Sequence, residues 1–538
     1  MTRIVLTTAC LLLLGTSTAL AYEDTMWTRR YDGQGRRDDY AKTVLVDQED
    51  NVIVVGTCMG TSSGNDVGVV KYGPDGTEQW FATIAGPGAS DEEAKGAALD
   101  PSGNIYITAS TGLYPDFDIM TVKYTSQGTE SWRRIYAGTG GRADVPAGIA
   151  VDSDGHAYVT GYTIAAGDSS GWVTMKLSNG NGLPLWTVIR IGGLPAAIAL
   201  GPDNAVYVTG YSAPEYMDDY CTVKYNTAGV EQWASFYNYS DNATDQAVAI
   251  TVDAAGNAYV TGTSASAPPP GGLNQYATVK YANDSGAEMW VARYAGEDGN
   301  NAPAAIALGT SAVYVTGSSQ GPAGDDDYAT VAYDKNSGSQ LWATRFDGPA
   351  GKDDDAADLA VLPSGMILVT GTCIDFDDKG DFVTVRYTAA GEQEWVLRYN
   401  SSFDNDDVAA AVTFDGHSNP TIAGSSFGSG YYDFLTIKYD SAPTGSAEFK
   451  PAAPSRPRMC LAPNPARNWT NVQQSLSGAA PAIVSLLGVD GRVVRTQRLD
   501  GQTGGSSRID LTGLASGVYV VRLDAAGRHA TSRLVVQQ

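Results

Sequence analysis

The chain has 538 residues, with 35 Lys/Arg against 60 Asp/Glu, three His and five Cys. A net charge of −25 repels a phosphate backbone, which excludes nucleic acid as a partner. So few histidines argue against imidazole metal centres and histidine general-base chemistry, and the cysteines form neither a disulfide framework nor a zinc pattern.

In chain order, residues 1–21 come first, with one Arg, a short apolar run and Ala19-Leu20-Ala21. That is the layout of a secretory signal peptide. Cys10 precedes the apolar run instead of ending it, which does not suit a lipid-anchoring cysteine. No later segment reaches the roughly 18 apolar residues of a membrane helix, so a soluble, monomeric mature chain without a transmembrane segment is expected.

From residue 22 to 440 one phrase returns eight times. Strands of the form "TVKY" end at Tyr72, Tyr124, Leu177, Tyr225, Tyr281, Tyr333, Tyr387 and Tyr439. A "YVTG"-like phrase ends at Gly56, Ala109, Gly161, Gly210, Gly262, Gly317, Gly371 and Gly424, and an "AIAVD"-like run precedes each copy. Trp27, Trp80, Trp132, Trp186, Trp233, Trp290, Trp342 and Trp395 mark a fourth run. β-Branched and aromatic residues suit a pleated sheet, and phrases such as "DPSGN" and "DAAGN" supply its turns. Four strands per unit, repeated eight times, predict an all-β, eight-bladed propeller with four-stranded blades. Trp27 stands before the first unit and Tyr439 ends the last without a tryptophan strand. The N-terminal strand is therefore expected to complete the eighth blade and close the ring, which removes two free edges.

The phrase "AIAVD…GNAYVTG…DYATVKY…G…W" resembles the SBBP-type β-propeller repeat of exported bacterial proteins. The resemblance implies architecture; propellers host many unrelated functions.

Residues 441–460 are rich in Pro, Ala and Ser and read as a semi-extended linker. From 461 to 538 alternating runs return, around hairpin signals at Asp490-Gly491 and Ala525-Ala526-Gly527. They predict a small immunoglobulin-like β-sandwich. "APNPAR" (462–467), "DGRVV" (490–494), "LTGLASGVYVVRL" (511–523) and "SRLVVQQ" resemble the type A sorting domain of type IX secretion. That resemblance implies the secretion machinery as a partner, with the protein displayed on the cell surface or released. A generic carbohydrate-binding or packing module is the alternative.

Acid is concentrated before residue 440, where the net charge is −30, against +5 for residues 440–538. Loops leading into each blade and loops between second and third strands should emerge on one face and carry 33 of the 54 acids there. Asp325, Asp326, Asp353, Asp354, Asp355, Asp406 and Asp407 are the expected binding face. Asp375, Asp377, Asp378 and Asp381, in "DFDDKGD", are candidate calcium ligands because they offer hard oxygens in one loop. Lys379 and Arg386 depart from an EF-hand, and solvated turn aspartates are the bland reading. The recurring Asp66, Asp118, Asp219, Asp327, Asp381 and Asp433 suggest a turn role. The eight tryptophans read as packing between blades, and the lysines of "TVKY", alternating with apolar residues, as solvated.

The function expected is non-enzymatic binding of a protein, glycan or envelope ligand, with calcium as the one possible cofactor. The alternative is an extracellular enzyme. Paired carboxylates could serve a glycoside hydrolase or lyase, and "AYDKNSGSQLW" (332–342) resembles the repeat of PQQ-type quinoproteins.

Overall fold

The computed structural model describes residues 25–441 except 34, 36, 61–63, 89, 139–141, 166–168, 213–217, 240–242, 268–271, 297–298, 322–323, 402–404 and 429. Beyond 457 it describes 458–462, 467, 469–475, 482–488, 492–499, 505–525 and 528–536. The signal segment at 1–21, linker residues 442–457 and most of "APNPAR" lie outside the described residues, as do the hairpin glycines Gly491 and Gly527. The chain divides into two compact units at Ser446/Ala447.

The first unit holds eight four-stranded antiparallel sheets. In the first blade Tyr40–Val46 is innermost, followed by Val52–Met59, Asn65–Tyr72 and Glu78–Ile84. Side-chain oxygens nucleate the tight turns between inner and second strands. Asp253, for example, accepts the Ala255 and Asn257 amides, each at 2.9 Å. Every inner strand slips register at the same place, from Ala41/Thr43 in the first blade to Ala409/Ala411 in the eighth, so each carries a β-bulge.

The ring closes as expected. Each inner strand touches the inner strands on both sides, including Tyr40–Val46 against Asp407–Phe414. Thr25–Tyr31 pairs antiparallel with Tyr432–Tyr439 and supplies the outer strand of the eighth blade.

The core lies between blades. One apolar cluster joins Val55, Val67 and Val69 of the first blade to Ile107, Met120 and Val122 of the second. Both faces of each sheet are therefore covered, as in stacked sheets. The outer-strand tryptophan fastens seven of the eight joints. Trp80 Nε1 donates to Ser126 O at 3.2 Å, Trp233 to Asn283 O at 2.9 Å and Trp342 to Ala389 O at 3.0 Å, each in the next blade. Among the described residues a turn glycine lies on seven of the eight indoles: Gly338 has φ +71°, and a Cβ there would sit 2.6 Å from the Trp290 ring. These positions combine a left-handed backbone with close approach, which glycine alone meets without strain.

The "TVKY" lysines correct the sequence expectation. Lys71, Lys123, Lys224, Lys280 and Lys438 are buried. Each lies cross-strand from a tryptophan where the outer strand has one in register, as Lys71 does from Trp80 and Lys224 from Trp233. Lys71 donates to Ser126 O and Lys224 to Asn283 O, the carbonyls that those tryptophans use. Strand alternation separates core from solvent only where one face is wet. Here both faces are dry.

The second unit is a two-sheet β-sandwich, three strands over four. Its core combines Ile509 of the smaller sheet with Val484, Leu486, Val521, Leu523 and Leu534 of the larger. No helix among the described residues is long and apolar enough to cross a membrane.

Candidate functional site

The propeller's two faces treat their carboxylates differently. On the face of the tight turns, in the first, second, third and eighth blades, the aspartate ending the "AIAVD" run meets the lysine of its own blade. Lys71 Nζ is 2.8 Å from Asp47 Oδ2 and Lys176 Nζ is 3.4 Å from Asp152 Oδ2. Tyrosines of the second strands join in: Tyr158 Oη donates to Asp152 at 3.0 Å and Tyr259 Oη to Asp253 at 3.0 Å. Burial alone would raise these carboxyls. Against it, hydrogen bonds from Lys71 and Asn51 hold Asp47 below the ordinary range, and those from Asn257 and Tyr259 do the same for Asp253.

The opposite face, built from the longer loops, shows the reverse. Its acids come together from both predicted loop classes: Asp353 accepts the Asp326 amide at 3.1 Å, and Asp406 accepts that of Gly380 at 3.0 Å. Burial, then neighbouring carboxylates, push four acids of this face up. Asp118 is raised beside Asp144 and Asp116, Asp219 beside Asp245, and Asp326 beside Asp355 and Asp353. Asp347 is raised beside Asp327 and Asp325. Exposed aromatics stand among them, Tyr114 at 87% and Phe376 at 61% exposure, with Tyr239 and Tyr431 about half exposed.

Within the expected binding face the structure separates two kinds of acid. Asp354 and Asp407 are fully buried and brace their own loops, accepting the amides of Gly348 and Ser401. Asp39, Asp144 and Asp245 do the same for Gly33, Gly138 and Tyr239. Asp353 and Asp406, just before the braces, cap the third strands of the preceding blades. Asp355 is exposed and Asp325 and Asp326 are half-buried, so these three present carboxylate to solvent. The brace was legible as a repeated acidic pair, as in Asp38-Asp39 and Asp406-Asp407.

The expected calcium loop is filled by cations of the chain itself. Asp375 and Asp381 converge on the Arg398 guanidinium, with Nε 2.7 Å from Asp381 Oδ2. Asp378 pairs with Lys352 at 2.6 Å, and the same ammonium donates to Asp375 O at 2.9 Å. Asp377 sits in the same turn. The four carboxylates are not gathered about one point, and a guanidinium stands where an ion would have to. The recurring aspartate shares this partner type: Asp327 pairs with Arg345, and Asp433 with Arg30 at 3.1 Å. These outer-strand arginines were the missed signal. Among the described residues, carboxylates close enough to share an ion include Asp325, Asp327 and Asp347.

Fold and faces together define a β-propeller with one acid-rich face. Residues 79–112 and 132–167 match the family described as Beta-propeller repeat, the SBBP type, and residues 461–537 match the Secretion system C-terminal sorting domain. The chain thus carries SBBP-type propeller repeats and a type IX sorting domain, which addresses it to the cell surface or the medium.

Among curated proteins none matches the chain. Solved structures that resemble it include the quinohemoprotein alcohol dehydrogenase of Comamonas testosteroni, at 10% identity and TM-score 0.43, covering 82% of this chain and 81% of that one. A polysaccharide lyase acting as an ulvan lyase matches at 11% identity and TM-score 0.41, over 64% of this chain and 91% of its own. The WD40 domain of SCAP from fission yeast matches at 9% identity and TM-score 0.41, over 78% and 99%. Likenesses at this level carry no argument about function.

Proposed function

We propose that this exported propeller is a non-enzymatic binding module that captures a cationic partner, a protein or envelope component bearing basic groups, on its acidic loop face. One observation carries the reading: in four blades the turn-face aspartate is paired with a lysine, whereas loop-face acids outside the arginine and Lys352 pairs, such as Asp118, Asp326 and Asp347, crowd one another. Uncompensated charge on one face attracts and orients an opposite charge, and its pull weakens with salt. The reading makes no use of calcium, since Asp375, Asp378 and Asp381 of loop 375–381 are paired with Arg398 and Lys352.

The test is calorimetric titration of hexalysine into the mature chain. Asp325→Asn, Asp326→Asn and Asp355→Asn together should weaken binding and flatten its salt dependence. Asp75→Asn, Asp154→Asn and Asp284→Asn, exposed acids of the turn face, should leave both unchanged. Equal losses from the two sets would overturn the assignment of the face. Sugar release from a polysaccharide, or the absorption of a bound quinone, would overturn the non-enzymatic reading.

A further inference from the structure

The link between the third and fourth blades breaks the pattern of the loop face. Seven of the eight blade-to-blade links run for six to eight residues; this one consists of Gly192 and Gly193 alone, between Ile191 and Leu194. Both glycines have positive φ, and a Cβ on Gly193 would lie 1.8 Å from Tyr211 O. The short link leaves a notch of about 530 Å³ in the face, walled by Val145, Pro146, Tyr162, Leu194, Pro195 and Tyr211. That volume lies within the range of small-ligand pockets, roughly 300–1,000 Å³.

The two tyrosines are departures from the repeat. Tyr162 and Tyr211 occupy the register position that holds Thr57, Ser110, Thr263, Ser318, Thr372 and Ser425 in the other six blades. In two of those blades the hydroxyl ties one blade to the next: Thr57 Oγ1 accepts the Ala94 amide of the following blade at 3.0 Å, and Ser425 Oγ that of Ala41 at 3.2 Å. In the fourth blade the equivalent residue is Pro195, which, like Pro146 and Pro303 of the third and sixth, has no amide hydrogen to donate, so no such tie forms at Tyr162. The freed position carries a large ring that walls the notch instead.

Charge surrounds this apolar spot. The Gly-Gly link has no acid, but the loops on either side bring Asp116 and Asp118, then Asp218 and Asp219, to the surface against one base, Arg142, while Asp144 and Asp245 are sealed as braces. Asp144 directly precedes Val145 of the wall. Burial, then Asp218 and Tyr162, push the Tyr211 hydroxyl up, which places that carboxylate within electrostatic reach of the notch.

We propose that the notch between the third and fourth blades takes an apolar side chain of a peptide segment whose flanking Lys or Arg residues pair with the acids on either side. An apolar anchor in a small pocket inside a ring of complementary charge is how a few residues dominate an interface. The proposal rests on the loop-face reading above and names the segment that the face selects.

The experiment titrates the mature chain with three probes: Lys-Lys-Leu-Leu-Lys-Lys, hexalysine and the neutral sugar cellohexaose. The leucine peptide should bind at least about tenfold more tightly than hexalysine, the gain expected for about 1.4 kcal/mol of anchor burial. Tyr162→Thr with Tyr211→Ser installs the residue types that the other six blades carry, and an unchanged melting temperature shows that the ring is intact. This variant should erase the leucine gain and leave hexalysine binding as it was. An unchanged gain in the variant would overturn the notch while leaving the acidic face standing. Failure of both cationic peptides to bind would overturn the face and the notch together. Cellohexaose binding that exceeds the leucine peptide and disappears in the variant would overturn the peptide assignment in favour of a sugar.

Discussion

Lys438 Nζ lies 2.7 Å from Asp415 Oδ2, with the two side chains only 1% and 2% exposed. Such a pair balances a large desolvation cost against strong attraction, so removing one partner costs far more than removing both. Lys438→Met should destabilise the propeller by about 3–5 kcal/mol, and adding Asp415→Asn should recover much of that loss. Urea unfolding midpoints measure both. A single-variant cost below about 1 kcal/mol, the value of a surface pair, would contradict the buried-pair account.

Two glycines with left-handed backbone separate steric contact from backbone strain. Gly365, at φ +85°, has only Ala389 Cβ near, at 3.8 Å, whereas Gly338 lies against Trp290. Gly365→Ala should cost about 1–2 kcal/mol from backbone strain. Gly338→Ala should cost a further 1–3 kcal/mol or so, because the indole has to move. Equal costs in thermal melts would mean that the tryptophan joint is loose.

Arg398 holds Asp375 and Asp381 together. Arg398→Gln should destabilise the fold by about 3 kcal/mol at pH 8, as two carboxylates are left facing each other. Burial pushes Asp381 up to about 7, so at pH 5 it is largely protonated and the cost should shrink. A cost that does not change with pH would show that the two acids do not share the guanidinium.

The two faces set opposite pH limits on stability. On the loop face burial raises Asp39 to about 6 and Asp354 to about 7. A carboxyl raised in the fold contributes stability below its unfolded value near 4, and that contribution is lost as pH rises through 6 and 7. On the turn face Asp47, Asp152, Asp253 and Asp415 are lowered, so their contribution is present above about 4 and lost below it. Melting temperature should therefore peak between about pH 4 and 6 and fall toward pH 8. A rise from pH 5 to pH 8 would mean that the loop-face acids are not strained.

Much of the site was hidden for a reason that particular residues show. Asp354 and Asp355 are neighbours of the same type, yet one is sealed against Gly348 and the other faces solvent. Loop composition placed both on the right face and could not tell them apart. Asp375 and Asp381 had the makings of a calcium loop until the outer strand laid Arg398 between them, 17 residues beyond Asp381.

The sequence by itself determined the eight blades, their four strands, the closing role of Thr25–Tyr31 and the exported two-unit plan, because a repeat writes its local turns and strand periods in every copy. Only the tertiary structure decided which charges are spent and which are free. Lys71 looks solvated in a strand and is buried in a blade, since a sheet covered on both faces has no wet side for alternation to find. Tyr162 and Tyr211 read as two more aromatics until a two-residue link between their blades left them as the walls of a notch.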